Sequence, residues 1–422
     1  MNRKITLTVI IVAFLSTWFN SALVSASLNK TPDGYSKSVA ASSSAIWVPH
    51  NYTRIQWAIG NASAGDIIFV EAGTYYEHVK IDKSLTLVGE NRSTTVIDGN
   101  GTGIVVYVIA NNITLSGFTV QNGDWGIWFS GSSNNILTGN TASNNLYGIC
   151  FWWSSNNALT GNIASNNQRG IHFLGSSNNA LTGNIASSND SSGIFLYHSG
   201  NNVLSGNIAS NNRYGIYLGD SGNNVLSGNI ASNNQYGIYL YYSLDNILTG
   251  ITATNNYYGI RLTSSSNNNA LTGNIISLNY YGIRLTSSSN NIIYHNNFIN
   301  NTEPASSIDS VNSWDNGVEG NYWSDYGGDD ANLDGIGDTP YPIYENNQDN
   351  YPLMATFLQF TIVKKNQSHK IDTVSSSAIS NLQYLYDPDN KINAVSFEVN
   401  STEDKGFCRI SIAHALIEPP YT

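Results

Sequence analysis

The sequence predicts an all-β protein whose main body is a right-handed parallel β-helix with about 22 residues per coil. Three observations predict it: a repeat of nearly fixed length, alternation of apolar residues within each repeat, and turn residues between the alternating segments. Self-similarity of this kind is typical of a solenoid, in which each repeat buries its apolar side chains only by stacking on its neighbours.

Two glycines mark the repeat. One precedes isoleucine and recurs in steps of 22 or 23 residues, and the other follows Leu-Thr or Leu-Ser with the same spacing. The Gly-Ile glycines are Gly126, Gly148, Gly170, Gly193, Gly215, Gly237, Gly259 and Gly282. Extra residues near Ser191 and in Asn267-Asn268-Asn269 account for the two longer steps.

The alternation of apolar and other residues after each Gly-Ile pair predicts that every repeat contains a β-strand. Each Gly-Ile pair is followed by any residue and then by Phe or Leu, as in Ile216 and Leu218, which is the period of a strand with one inward face. We therefore expect one buried column made of Ile127, Ile149, Ile171, Ile194, Ile216, Ile238, Ile260 and Ile283. A leucine-rich repeat is the alternative, but it requires regularly spaced leucines, and the Ala-Ser-Asn-Asn segments supply none.

Asparagine and glycine separate the alternating segments. Both tolerate positive φ and are typical of turns. Identical asparagines at one position of successive coils can also hydrogen-bond to one another as a ladder. We predict one ladder, formed by Asn140, Asn162, Asn184, Asn207 and Asn229.

The β-helix with its N-terminal cap is predicted over 46–300. An open solenoid exposes unpaired strand edges, so its first coil needs a cover. We expect Thr53 to N-cap a short helix with Ile55, Ala58 and Ile59 on one face, lying over that edge. The first strands are expected at 66–70, 79–81 and 85–88.

Two regions follow the repeats. Residues 301–354 are acidic and rich in aromatic residues and proline, and are predicted to form the C-terminal cap. Residues 355–422 alternate again without the repeat, which predicts a small β-sandwich-like domain, incomplete where it stops at Thr422.

The N-terminus has the features of an export signal. Residues 1–26 combine Arg3 and Lys4 with an apolar run and a small-residue end, and 27–45 form a serine-rich linker. The alternative is a retained membrane anchor, although the apolar run is shorter than the roughly 20 residues of a comfortable span. Sequons such as that of Asn189 fit an exported glycoprotein. We expect an extracellular or cell-surface protein, attached to a membrane only through the signal or a missing C-terminal anchor.

The net charge argues against nucleic-acid binding, and the cysteine content argues against a disulfide-rich fold. The net charge is −11, and phosphate binding relies on basic patches, so no nucleic-acid partner is expected. Cys150 and Cys408 are the two cysteines, and they do not indicate a disulfide framework.

The repeats, together with the segment that begins Ser-Trp-Asp-Asn-Gly at Ser313, resemble the NosD-type "periplasmic copper-binding" family and the wider carbohydrate-binding and sugar-hydrolysis domains. The likeness runs from about Ile55 to Met354. It implies the parallel β-helix fold and an exported surface protein, and it introduces polysaccharide modification and copper-site maturation as functions to weigh.

Hydrolysis of a glycan requires a pair of carboxylates, one as acid and one as base or nucleophile. Between Ile127 and Asn300 the chain has no Glu and no Lys, and its carboxylates are Asp190, Asp220 and Asp245, at different offsets within their repeats. We interpret them as solvated turn residues. Arg261 and Arg284 share one offset, as a lyase would need for a substrate carboxylate, but no acidic cluster accompanies them.

Copper is not expected. Soft copper sites are built from clustered Cys, Met and His. His172, His198 and His295 are scattered among the coils at different offsets and are interpreted as isolated surface residues.

Calcium is the cofactor that the sequence favours. Asp330, Asn332 and Asp334 followed by Gly335 reproduce the opening of a calcium loop, and Asp338 adds an oxygen. Tyr341 stands where such a loop has its bidentate Glu. An acidic turn without an ion is the alternative.

The last signal is an aromatic face. Tyr214, Tyr236 and Tyr258 precede the Gly of successive Gly-Ile pairs, and Tyr217 and Tyr239 follow it by two residues. Such columns repeat about every 4.8 Å, and the glycines between them predict a shallow trough for an extended ligand. The alternative is that these rings only stabilise exposed strands.

The sequence thus predicts an exported, non-catalytic surface protein that binds a polysaccharide or another cell-envelope partner along its aromatic face. A hydrolase, lyase or epimerase acting on a polysaccharide is one alternative. A copper-site maturation factor of the NosD type is another.

Overall fold

The computed structural model describes residues 6–9, 45–344, 346–364, 367–387, 392–400 and 407–412. They divide into two compact units, one running from Ser44 to Phe357 and one that includes Thr6–Val9 and the described residues from Leu358 onward. The first unit is the β-helix, and each unit is described by itself.

Three parallel sheets form the walls of the β-helix. Sheet 1 has 12 strands: Ala45–Val48, Ile67–Val70, Thr86–Gly89, Thr114–Ser116, Ile136–Thr138, Ala158–Thr160, Ala180–Thr182, Val203–Ser205, Val225–Ser227, Ile247–Thr249, Ala270–Thr272 and Ile292–Tyr294. Sheet 2 has 12: Gly73–Tyr76, Thr95–Asp98, Thr119–Gln121, Thr141–Ser143, Ile163–Ser165, Ile185–Ser187, Ile208–Ser210, Ile230–Ser232, Thr252–Thr254, Ile275–Ser277, Asn297–Ile299 and Tyr322–Trp323. Sheet 3 has 11: Val79–Ile81, Ile104–Val108, Trp125–Ser130, Tyr147–Trp152, Arg169–Leu174, Ser192–Tyr197, Tyr214–Gly219, Tyr236–Tyr241, Tyr258–Thr263, Tyr281–Thr286 and Glu303–Ile308.

Register between coils follows the repeat, and the predicted parallel β-helix is confirmed. Ile216 pairs with Ile194 on one side and Ile238 on the other. All eight isoleucines of the predicted column are fully buried. In the same coil Leu204, Ala209 and Leu218 also face inward with no exposed surface, so each sheet contributes to one continuous core.

Asparagine ladders line the corners of the coils. The predicted ladder through Asn140 is confirmed: each backbone N–H and each side-chain amide donates to the side-chain oxygen one coil later, as from Asn184 to Asn207 at 2.9 and 3.0 Å. Ile251 interrupts this column, which resumes at Asn274. Two further asparagine ladders and a serine ladder were not predicted. They contain Asn135, Asn157, Asn179, Asn202, Asn224, Asn246, Asn269 and Asn291; Asn145, Asn167, Asn189, Asn212, Asn234, Asn256, Asn279 and Asn301; and Ser132, Ser154, Ser176, Ser199, Ser221, Ser243, Ser266, Ser288 and Ser310.

The paired asparagines divide two tasks between them. The first of a pair, such as Asn223 with φ of 59°, makes the left-handed turn, and the second, Asn224, points inward and joins a ladder. The sequon at Asn189 belongs to a ladder as well, with a side chain that is 2% exposed. The folded chain therefore does not present that amide for glycosylation.

A short helix, Ile55–Asn61, covers the first coil and buries Ile55, Ala58 and Ile59, as predicted. The prediction that Thr53 caps it is wrong. Arg54 occupies the N-cap without a side-chain cap bond, and the backbone N–H groups of Ile55 and Gln56 instead donate to the two carboxylate oxygens of Glu77, each at 3.0 Å. Glu77 follows strand Gly73–Tyr76, so the cap also ties the helix to the coil beneath it.

An aromatic stack closes the far end of the core. Trp323 lies between Phe298 and Tyr341, with ring centroids 4.1 and 4.2 Å away. Asp349 lies beneath it, fully buried, and accepts from Trp323 Nε1 at 2.9 Å and from the backbone and side-chain N–H groups of Asn321 at 2.7 and 3.3 Å. Burial raises the pKa of Asp349 to about 6 against the opposing effect of these donors. The short strands Tyr341–Tyr344 and Asn347–Asp349 complete this cap.

The second unit contains two small antiparallel sheets. One is formed by Thr356–Lys364, which belongs to this unit from Leu358 onward, with Gln367–Ser375 and Cys408–Ile412. The other is formed by Thr6–Val9, Ile392–Asn400 and Ala378–Asp387. Ile362, Ile371, Ile379, Val395 and Phe397 share a core. Apart from Thr6–Val9, the predicted export signal at 1–26 lies outside the described residues, as does the linker at 27–45 apart from Ala45. Among the helices of the described ranges, none is long and apolar enough to cross a membrane.

Candidate ligand-binding face

The outer surface of sheet 3, here called the aromatic face, carries two rows of side chains. From Trp125 onward the first row precedes each Gly and the second follows it by two residues, and both are held in register by the parallel pairing. Tyr107 extends the second row by one coil, where Val105 stands in place of the Gly. The first row is Trp125, Tyr147, Arg169, Ser192, Tyr214, Tyr236, Tyr258 and Tyr281; the second is Tyr107, Trp128, Cys150, His172, Phe195, Tyr217, Tyr239, Arg261 and Arg284.

The first row ends in a tyrosine stack. Tyr214, Tyr236, Tyr258 and Tyr281 follow one another with centroids 4.9, 5.0 and 5.0 Å apart and interplanar angles of 13° or less. This spacing follows from the strand separation of a parallel sheet. Because each ring covers the next, the faces of the rings are occupied and their edges and hydroxyl groups face outward.

The predicted trough between the two rows is wrong. Tyr236 stacks on Tyr239 with centroids 5.3 Å apart, and Tyr214 contacts Tyr239 at 5.7 Å, so rings of the two rows close over the backbone between them. A Cβ at Gly215 would lie 2.5 Å from the carbonyl oxygen of Gly237 and 2.8 Å from the side-chain nitrogen of Asn234. Glycine is needed there for the close approach of the next coil, and it does not form the floor of an open groove.

The five predicted ligand-binding tyrosines, Tyr214, Tyr217, Tyr236, Tyr239 and Tyr258, therefore come together as one half-buried layer. Burial is the largest cause that raises the pKa of Tyr214 and of Tyr217 above the usual value, so both hydroxyl groups are neutral at physiological pH. Tyr239 Oη lies 3.0 Å from Thr263 Oγ1. Each neutral hydroxyl can donate and accept, which suits the hydroxyl groups of a sugar.

Tryptophans replace tyrosines at the N-terminal end of this face. Trp128 contacts Trp125, Trp152 and Tyr107, with centroids 5.4, 4.9 and 5.1 Å away. The indole nitrogens of all three tryptophans are buried without a hydrogen-bond partner. This end is an apolar cluster and lacks the row of hydroxyl groups found further along.

The sequence predicts His172 to be a surface residue, and Cys150 is its register partner on the preceding coil. Both project from the outer side of sheet 3, but the surrounding side chains bury them to 0% and 5% exposure. Burial raises the pKa of the Cys150 thiol, and burial together with the guanidinium of Arg169 lowers the pKa of His172 to about 3. Both side chains are therefore neutral at physiological pH.

Carboxylates are placed as the sequence predicts for turn residues. Asp190, Asp220 and Asp245 are exposed, and Asp220 lies 2.9 Å from Nδ1 of His198. A depression of about 390 Å³ lies elsewhere, near the N-terminal coils, and Asp98 is the one acidic side chain in its lining. Although burial opposes it, hydrogen bonds from Gln121, Asn100 and Asn122 hold the pKa of Asp98 below its usual value, so Asp98 is ionised and suited to accept hydrogen bonds.

The predicted calcium loop is held by its own hydrogen bonds. Asp330 accepts from the backbone N–H groups of Asp334 and Gly335 at 3.1 and 2.9 Å, and Asp338 accepts from Ala331 at 2.7 Å. Asn332 accepts from the backbone N–H of Asp334 at 3.1 Å. Within the described ranges no three acidic, His or Cys side chains converge as metal ligands, so an ion would have to draw these oxygens together.

We keep calcium binding as a prediction. The Asp334→Ala variant is expected to lose any calcium-dependent rise in melting temperature, because a bound ion stabilises the folded state in proportion to its occupancy. Differential scanning calorimetry with and without calcium measures this, and Asp190→Ala serves as the control for an exposed aspartate outside the loop. Identical melting of the unaltered protein with millimolar calcium and with chelator would reduce the loop to a turn.

Comparison with known proteins agrees with the architecture. The A-module of mannuronan C-5 epimerase AlgE6 from Azotobacter vinelandii superposes with a TM-score of 0.52 at 17% identity, covering 61% of this chain and 93% of the epimerase module. ORF18 of Geobacillus virus E2 gives 0.50 at 15% identity, covering 85% and 75%. DFA-IIIase from Arthrobacter chlorophenolicus A6 gives 0.50 at 14% identity, covering 64% and 86%. At these identities the likeness extends to the fold alone.

No curated protein matches the chain. A family model does, over residues 59–223 and 199–328, which together make up more than half of the sequence. Its description is NosD, periplasmic copper-binding protein. The chain thus belongs to the NosD family.

Proposed function

We propose that this protein is exported and binds a polysaccharide or another extended cell-envelope polymer along the aromatic face, without modifying it. The observation that carries the proposal is the row of tyrosine edges, in register from Tyr214 to Tyr281. A row that repeats once per coil matches a ligand that is itself a repeating chain. Several weak contacts in register then add through avidity.

The contacts are hydrogen bonds from ring edges and hydroxyl groups. A sugar cannot stack on the faces of Tyr236 and Tyr258 because neighbouring rings already cover them. Their hydroxyl groups lie at the outer rim, where they reach sugar hydroxyls. The epimerase that shares the fold acts, by its name, on mannuronan, which agrees with a polysaccharide partner.

Copper, which the family description names, does not fit the histidines and the buried cysteine. Cys150 and His172 are paired in register and buried, but they supply two donors, and the guanidinium of Arg169 beside them disfavours a further cation. His198 pairs with Asp220, and His295 with Glu319 at 2.6 Å, at other places in the fold. The proposed function uses no copper.

The Tyr236→Phe, Tyr239→Phe double variant tests the proposal. It removes two hydroxyl groups and keeps the rings, so the stack should be retained. The melting temperature should change little, although the hydrogen bond between Tyr239 Oη and Thr263 Oγ1 is lost. On an array of neutral and acidic polysaccharides, its strongest interaction is expected to weaken at least about tenfold, which corresponds to about 1.4 kcal/mol or one to two hydrogen bonds.

The matched control is Tyr76→Phe, Tyr294→Phe, which removes two hydroxyl groups from sheets 2 and 1. It should bind as the unaltered protein does. Equal binding by the Tyr236, Tyr239 variant, or no interaction of the unaltered protein with any polymer on the array, would contradict the proposed function.

A further inference from the structure

Four arginines lie along the aromatic face, and each guanidinium is above an aromatic ring. Arg169 is 4.6 Å from the Phe195 centroid, Arg213 is 5.2 Å from Tyr214, Arg261 is 4.7 Å from Tyr258, and Arg284 is 4.7 Å from Tyr281. These distances are within the range of cation–π attraction. The contacts flatten the side chains on the rings and leave cations distributed along the tyrosine row.

These cations have no acidic partner. Within the described ranges none of the four forms an ion pair, and Nε of both Arg261 and Arg284 is buried without a hydrogen-bond partner. Glu303 is in register with Tyr281 one coil beyond and does not pair with Arg284. A tyrosine ring attracts the guanidinium but does not neutralise its charge, and the guanidinium keeps N–H donors for a further acceptor.

Two of these arginines are paired directly with each other. Arg261 and Arg284 are register partners on adjacent strands, about 4.8 Å apart along the coil axis. Like charges directly opposite on a sheet destabilise it. The protein has a net charge of −11, yet no acidic side chain among the described residues compensates the charge of this pair. An anionic ligand would reduce the repulsion between the two arginines.

We propose that the polymer bound by the aromatic face is a carboxylated polysaccharide, lying along the coil axis with its carboxylates on Arg213, Arg261 and Arg284. The inference rests on the proposed function and adds the chemical class of the ligand. Arg213 lies two coils before Arg261, about 10 Å along the axis, and Arg284 lies one coil after it, about 5 Å. Guanidinium binds carboxylate in a bidentate manner and is more weakly hydrated than an ammonium group. Tyrosine hydroxyls between the arginines would contact the sugar hydroxyls.

Polygalacturonate and its fully methyl-esterified form are the probes, because they share a backbone and differ in charge. The protein is expected to bind polygalacturonate at least about tenfold more tightly, with an affinity that falls as salt increases. The Arg261→Gln, Arg284→Gln variant should lose this preference without melting at a lower temperature than the unaltered protein, because the repulsion between the two cations is removed. Arg54→Gln, which alters an exposed arginine on the N-terminal helix cap, is the matched control and should keep the preference.

The outcomes separate this inference from the proposed function. Equal binding of both polymers would overturn the inference and leave the proposed function intact. Equal affinity for dextran sulfate and polygalacturonate at matched charge density would overturn the assignment of a carboxylate. If the Tyr236, Tyr239 variant loses binding but the unaltered protein shows no preference for the charged polymer, the proposed function is supported and the inference is not. If the unaltered protein binds no polymer at all, both are overturned.

Discussion

Ile216→Asp is expected to unfold the central coils. Ile216 is fully buried between Ile194 and Ile238, so the variant loses its apolar contacts and places a carboxylate in the core without a partner. A loss of at least about 4 kcal/mol in the free energy of unfolding is expected. Coils are stabilised by their neighbours, so the damage extends beyond the altered repeat. Circular dichroism during heating and urea titration measures the loss.

Ile230→Asp is the matched control. It makes the same chemical change one repeat later on sheet 2, where the side chain faces outward and is 38% exposed. It should change the melting temperature little. An Ile216→Asp protein with unaltered circular dichroism and melting temperature would contradict the register of sheet 3.

Asn207→Leu is expected to have the second largest effect. The side-chain oxygen of Asn207 accepts from the backbone and the side-chain N–H groups of Asn184 at 2.9 and 3.0 Å, and all of these groups are buried. Leucine removes the acceptor and fills a similar volume. Two donors then remain unsatisfied, and the side-chain amide that donated to Asn229 is lost, whereas the backbone N–H of residue 207 keeps its bond to Asn229. We expect a loss of about 3 to 5 kcal/mol, because each unsatisfied group costs about 1–3 kcal/mol.

Ile251→Leu is the matched control for Asn207→Leu. It places leucine in the same ladder column, at the coil where the chain already has a buried apolar side chain in place of asparagine. An isomeric apolar exchange of this kind costs less than about 1.5 kcal/mol. Chemical denaturation of the two variants therefore isolates the hydrogen bonds from the change of side-chain shape. Equal stability of the two would show that the ladder does not stabilise the fold.

Periodicity was sufficient to predict the fold because every coil obeys the same spatial constraint. The spacing of Gly-Ile places Ile216 above Ile194 whatever the turns look like. The second and third asparagine ladders were missed for a physical reason. In Asn223-Asn224 both residues were assigned to the turn, although only the first has positive φ and the second faces inward. The regular spacing of the second asparagine was a signal that could have revealed these ladders.

The site was predicted less completely than the fold. Sequence columns place Tyr214, Tyr236 and Tyr239 on one surface, but they do not determine how the rings rotate, and ring rotation closes the predicted trough. The cap of the N-terminal helix was harder to predict than the positions of the tyrosines. Glu77 binds the helix N-terminus from more than 20 residues away, a distance at which local capping rules do not apply.

The ladders have a direction, and their direction bears on how the protein ends. Within a ladder, the backbone and side-chain N–H groups of one asparagine donate to the side-chain oxygen of the asparagine one coil later, so the last asparagine needs an acceptor beyond the repeats. In the ladder through Asn274, Asn296 and Asn321 this need ends at Asp349, whose carboxylate accepts and has nothing to donate when ionised. If the last asparagine of this ladder had no such acceptor, its buried N–H groups would remain unsatisfied, and each unsatisfied group costs about 1–3 kcal/mol. The buried carboxylate of Asp349 therefore acts as a terminator, because it allows a chain of hydrogen bonds that runs in one direction through the coils to end within the folded chain.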